Sequence, residues 1–123
     1  MLNSLPETLP PFEIATVLQR VKGNQALLHA LILKFYWHYV DFFERINLLI
    51  ENKNYAEVEH LLHTLTGTAM LLGLTELSAL SKAVEYAVQT QNLAKIKLFM
   101  NALEVVLNSA LHAAATLLPP QED

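Results

Sequence analysis

Apolar residues recur at offsets of three and four along most of the chain, with no strand-like alternation bounded by turn dipeptides. Between Asn24 and Ile50 the series Leu28, Leu31, Ile32, Phe35, Tyr39, Phe42, Ile46 and Leu49 traces one stripe along a helix. Prolines stand only at Pro6, Pro10, Pro11, Pro119 and Pro120, so the interval between them holds no helix breaker of that kind. Turn signals divide this interval into five predicted helices. The first runs from about Pro11 to Val21, with proline in its first turn, and stops near Gly23. The second runs from its cap, Asn24, to about Ile50. A polar turn, Glu51-Asn52-Lys53-Asn54, follows, in which Asn54 and Glu57 have capping-box spacing. The third helix covers about Tyr55 to Leu72 and ends at Gly73, the fourth about Thr75 to Thr90, the fifth about Asn92 to Leu117. Short connections favour antiparallel neighbours. The predicted fold is all-α: an antiparallel four-helix bundle with an additional short N-terminal helix, over residues 11–118, between tails 1–10 and 119–123.

The third helix separates a core stripe from a chemical face. At about 100° per residue, Val58, Leu61, Leu62, Leu65, Ala69 and Leu72 fall within roughly 60° of Leu65. His63 falls roughly 160° away, with Ala56, Glu59, Gly67 and Met70 within about 40° of it. The imidazole is therefore expected in solvent, one turn from a glycine. Glycine in a helix costs about 1 kcal/mol relative to alanine. Either Gly67 clears an approach to His63 or it lets another helix pack close; the residue pattern leaves both open.

Composition narrows the chemistry. Hydrophobic residues make up 53%, charged residues 16%, and the net charge is −4, which disfavours disorder and gives no basic stripe for nucleic acid. With no cysteine, thiolate metal sites and cysteine nucleophiles are excluded, and a reducing compartment such as the cytoplasm fits. Residues Met1–Leu9 do not read as a signal peptide, and apolar stretches broken at Lys34, Asp41 and Gly73 predict no membrane insertion. No P-loop or dinucleotide fingerprint is present, and no acidic pair suggests acid–base catalysis. His60 and His63 are three apart, but two histidines do not close a metal site. His60 is expected on the solvated flank of the helix, and His29, His38 and His112 at the surface or its edge. Tyr36, Trp37, Tyr39, Phe42 and Phe43 read as core aromatics.

The run His63-Thr64-Leu65-Thr66-Gly67-Thr68-Ala69-Met70-Leu71-Leu72-Gly73, followed by Leu77 and Glu85, resembles the signature of histidine-containing phosphotransfer (HPt) domains, roughly H-x-L-K-G-x-A-x-x-L-G-x-x-x-L. The proline-flanked start, the Gly23-Asn24 turn and the aromatic-rich second helix are similar to the family too, extending the resemblance from about Leu9 to about Leu118. The resemblance implies a phosphorelay intermediate, not an enzyme: His63 accepts a phosphoryl group from a receiver aspartate and passes it to a second receiver. Partners would be receiver domains of response regulators or hybrid sensor kinases, with Mg²⁺ on the receiver and no cofactor on this chain. The module would be cytoplasmic, free-standing or within a membrane-bound sensor kinase, and monomeric. An imidazole, with a reference pKa of about 6.5, is largely neutral and nucleophilic at physiological pH. Glu59, His60, Thr66, Gly67, Met70 and Leu71 would surround the phosphate and the docked receiver.

Three positions depart from the pattern. Thr66 replaces the usual lysine and supplies a hydroxyl without charge. Met70 replaces a small residue on the His63 face, and Leu71 stands where a polar residue is common. An adaptor that binds a partner through Met70 and Leu71 without carrying phosphate is the alternative reading, and pairing of two copies through the same face is a third.

Overall fold

The computed structural model describes residues 5–120; the outer ends of the expected tails, 1–4 and 121–123, fall outside it. Six helices follow in order: α1 (Ile14–Arg20), α2 (Gln25–Tyr39), α3 (Phe42–Glu51), α4 (Tyr55–Leu71), α5 (Thr75–Gln89) and α6 (Leu93–Ala115). No strand element occurs among the described residues, and the fold is the all-α bundle that the pattern predicts. α4 packs against α3 and α5, α5 against α6, and α6 against α2, a series that the direct α2–α3 connection closes into a ring, with α1 as a short flank at α2.

The single helix expected from Asn24 to Ile50 is two helices. Val40 still donates its N–H to Tyr36 O at 2.9 Å, but Asp41, at φ −109° and ψ 17°, leaves the helical path. Arg45 spans the break, with Nη2 donating to His38 O at 3.0 Å and Nε 3.3 Å from Asp41 Oδ1. Tyr39, Phe42 and Ile46 are buried on both sides of the bend, so the apolar stripe runs through it without interruption. That is why periodicity alone predicts one helix.

Other expectations need smaller corrections. α1 begins at Ile14, because Pro10 and Pro11 lie in a turn closed by the Phe12 N–H on Leu9 O. Asn24 caps α2 by accepting the Leu27 N–H at 3.0 Å. Asn54 makes no side-chain cap, its ψ of 66° falling short of the 92° at Asn24, and the expected capping box does not form. His29 is buried, three residues before buried Ile32 on the same face of α2, whereas His38 and His112 are exposed. Trp37 is exposed, Tyr36 and Phe43 are half-buried, and only Tyr39 and Phe42 of the five aromatics are core. α6, at 23 residues, is long and apolar enough by length and composition to cross a membrane, contrary to the expectation that no stretch is.

The core joins Phe35, Phe42, Ile46, Leu62, Leu65, Leu77, Leu103 and Leu107, all essentially inaccessible. Each such side chain contributes about 1.5–3 kcal/mol relative to exposure. The end of α4 is fastened separately. Arg20 Nη1 donates to Met70 O at 2.8 Å and to Leu71 O at 3.0 Å, satisfying two of the carbonyls a helix end leaves open. Gly73 then turns the chain at φ +69°, and the Leu74 N–H returns to Ala69 O at 2.8 Å. A β-carbon there would lie 2.9 Å from Val17 Cγ2 and 3.1 Å from Glu13 N. Only glycine fits.

Candidate functional site

The core stripe of α4 is where the helical wheel puts it: Val58, Leu62, Leu65, Ala69 and Leu72 are buried and Leu61 half-buried. His63 consequently projects outward, its side chain 79% exposed. Its Nδ1 lies 3.4 Å from Glu85 Oε2 on α5, a carboxylate whose side chain is only 16% exposed. The helix pairing explains that meeting. Thr66 Oγ1 and Ser81 Oγ are 2.8 Å apart, and Ser78 Oγ donates to Thr66 O at 3.1 Å, which pins position 66 of α4 opposite positions 78 and 81 of α5. In an antiparallel pair, one turn back from Thr66 to His63 matches one turn forward from Ser81 to Glu85.

The same hydrogen bonds change the role of Thr66. Its hydroxyl also donates to Leu62 O at 2.8 Å and is half-buried in the α4–α5 seam. Thr66, expected in the phosphate environment, therefore has its hydroxyl engaged in the packing of that seam.

Gly67 is exposed, and beyond the adjacent backbone of its own helix a β-carbon on it would meet no described heavy atom within 4 Å. Of the two readings of this glycine, close packing of another helix is not seen among the described residues. Met70 and Leu71 are 60% and 68% exposed, His60 is exposed, and Glu59 is half-buried. His63, Gly67 and Met70, spaced four and three apart, form one outward stripe.

Beside that stripe, between α1, α2 and α4, lies an open groove of about 510 Å³. Val17, Leu31, Phe35 and Leu72 give it apolar walls, and the exposed cations Arg20 and Lys34 border it. Neither cation is within ion-pair distance of a carboxylate among the described residues. Sequence reasoning passed over both, because they stand on different helices and make no local pattern. Glu85 was picked up only as part of the family signature.

Against models of protein families, the chain matches the Hpt domain over residues 38–116, well over half its length. The chain belongs to the Hpt domain family. Hpt domains are phosphocarrier modules of phosphorelay signalling, and the exposed imidazole of α4 lies within the matched stretch. The match takes in α3 to α6 and starts at the end of α2, whereas the resemblance read from the sequence begins near Leu9. Comparisons with curated proteins and with solved structures return no significant match.

Proposed function

We propose that this Hpt domain accepts a phosphoryl group on His63 from the aspartyl phosphate of a receiver domain and passes it to the aspartate of another. The observation that carries this reading is an exposed imidazole whose Nδ1 faces the Glu85 carboxylate, beside a glycine that no contact among the described residues requires. A carboxylate at Nδ1 favours the tautomer with the proton on that nitrogen and leaves the lone pair on Nε2. Nε2 then attacks phosphorus as the bond from phosphorus to the aspartate oxygen breaks, and the aspartate leaves as a carboxylate. The Nδ1 proton stays in place, and the positive charge that the phosphorylated ring acquires is offset by Glu85. Transfer of this kind rests on positioning and charge stabilisation. Charge stabilisation around the moving oxygens falls to the receiver's acidic pocket and its Mg²⁺. Arg20 and Lys34, at the border of the groove beside α4, offer positive charge to the acidic surface of a docked receiver.

The module acts as a carrier, with no turnover of its own, and its cysteine-free composition suits the cytoplasm. Incubation with a panel of phosphorylated receivers is the test. The expected product is an acid-labile, alkali-stable label on the wild-type chain and none on a folded His63→Gln variant. Label retained by His63→Gln, or no label from any receiver, refutes the reading. Exposed Met70 and Leu71 favour a second one, a partner-binding bundle without phosphate. That adaptor predicts binding indifferent to His63→Gln and lost in Met70→Glu.

A further inference from the structure

The solvent face of α6 carries its charges at the edges, not along its middle. Ala94, Leu98, Asn101, Val105 and His112 are all exposed and lie within roughly 60° of one another around the helix. Leu98 and Val105 are 64% and 70% exposed. The formal charges of the helix stand at its edges: Lys97 and Glu104 on one side, Lys95 on the other. Ile96, Phe99, Met100 and Val106 pack half-buried against the core beside buried Leu103 and Leu107, but Leu98 and Val105 have no such role in the bundle. Exposed Leu98 and Val105 on either side of Asn101, between charged edges and with no partner among the described residues, mark an interaction surface.

We propose that this face is the interface of a homodimer, with two α6 helices packed antiparallel about a two-fold axis near Asn101. The positions of the charges identify a second copy as the occupant. At about 1.5 Å per residue, Lys97 precedes Asn101 by about 6 Å and Glu104 follows it by about 4.5 Å. A two-fold axis at Asn101 reverses those heights and keeps each edge on its own side. Lys97 then lies level, to within about 1.5 Å, with Glu104 of the second copy, and the pair occurs twice. The same operation brings Leu98 beside Val105 of the second copy, again twice. Asn101 meets itself on the axis, where a side-chain amide is both donor and acceptor. Parallel pairing would instead carry the Lys97 and Glu104 edge of one copy across to the Lys95 edge of the other, and neither Lys97–Glu104 pair would form. A lipid surface fits less well, because Asn101, Asn108 and His112 would lose water with no partner to replace it.

The ring of helices keeps this dimer compatible with relay. α6 lies between α5 and α2, while α4 lies between α5 and α3, so an α6 pair leaves both His63 faces open. A single helix pair is at the small end of stable interfaces, and the association is correspondingly concentration-dependent. This departs from the monomer expected of the sequence.

The test is sedimentation equilibrium of the full chain from micromolar to millimolar concentration, with thermal melts confirming that each variant is folded. The wild type should show a monomer–dimer equilibrium. Glu104→Lys should weaken it by about tenfold or more, and adding Lys97→Glu should restore it to within about threefold. Val105→Asp, a second and independent disruption, should give a folded monomer. A wild type that stays monomeric throughout overturns the proposal. So does a dimer that tolerates Glu104→Lys, a double variant that fails to recover, or a dimer abolished by Met70→Glu instead. Flotation of the chain with phosphatidylcholine vesicles, unaffected by the charge swap, would assign the face to lipid and reject the dimer.

Discussion

Gly67 and Gly73 stand six residues apart at the same end of α4, and the fold treats them in opposite ways. Gly73 has φ +69° and is closed in by Val17 and Glu13 of the first helical segment, so any side chain there strains the backbone and collides. Among the described residues, nothing outside its own helix lies within 4 Å of where the Gly67 β-carbon would be. The first glycine is explained entirely from inside the molecule. The second is not, and it costs about 1 kcal/mol of helix stability relative to alanine at an exposed position. A residue that the fold does not need, one turn from an exposed imidazole, points to something outside the chain that approaches closely.

Four substitutions test this contrast. Gly73→Ala should cost about 3 kcal/mol in urea-induced unfolding, combining the positive-φ penalty with overpacking against Val17. A loss near zero would mean that the turn can relax and that the two glycines are not opposites. Gly67→Met should slow phosphoryl transfer from a receiver by about tenfold or more without lowering stability, as the side chain obstructs the approach to His63. Unchanged single-turnover rates would remove the reason given for this glycine. Thr66→Val should cost about 1 kcal/mol, since it removes hydrogen bonds to Leu62 and Ser81 in the α4–α5 seam, and transfer should change little. A large fall in transfer at full stability would return Thr66 to the phosphate environment. The smallest effect is expected of Gly67→Ala, a gain of about 0.5–1 kcal/mol visible as a raised melting temperature.

The parts of the molecule that were legible in the sequence are those governed by local period. The buried stripe of α4 and the outward direction of His63 follow from spacing within a single helix, and the structure agrees at Val58, Leu62, Leu65 and Ala69. Features set by contacts between helices were not legible. The break at Asp41 is silent because Tyr39, Phe42 and Ile46 keep the three- and four-residue rhythm across it. Thr66 looked like a weakened phosphate ligand because its partners, Ser78 and Ser81, lie twelve and fifteen residues away on another helix. Glu85 meets His63 for the same reason, through the register of α4 on α5. Aromatic type also misled: Trp37 is mostly in solvent, while His29, a residue that reads as polar, is inside.

The hold of Arg20 on the last carbonyls of α4 bears on where this module can be cut. Its guanidinium, together with Val17 and Glu13 around Gly73, ties the turn beneath Met70 and Leu71 to a segment upstream of the family-matched stretch, which starts at His38. A fragment trimmed to residues 38–116 would keep the histidine and discard the strut that sets the angle of the surface next to it. For this chain the structural unit is wider than its recognisable signature, and the extra width belongs to the aim of the His63 face.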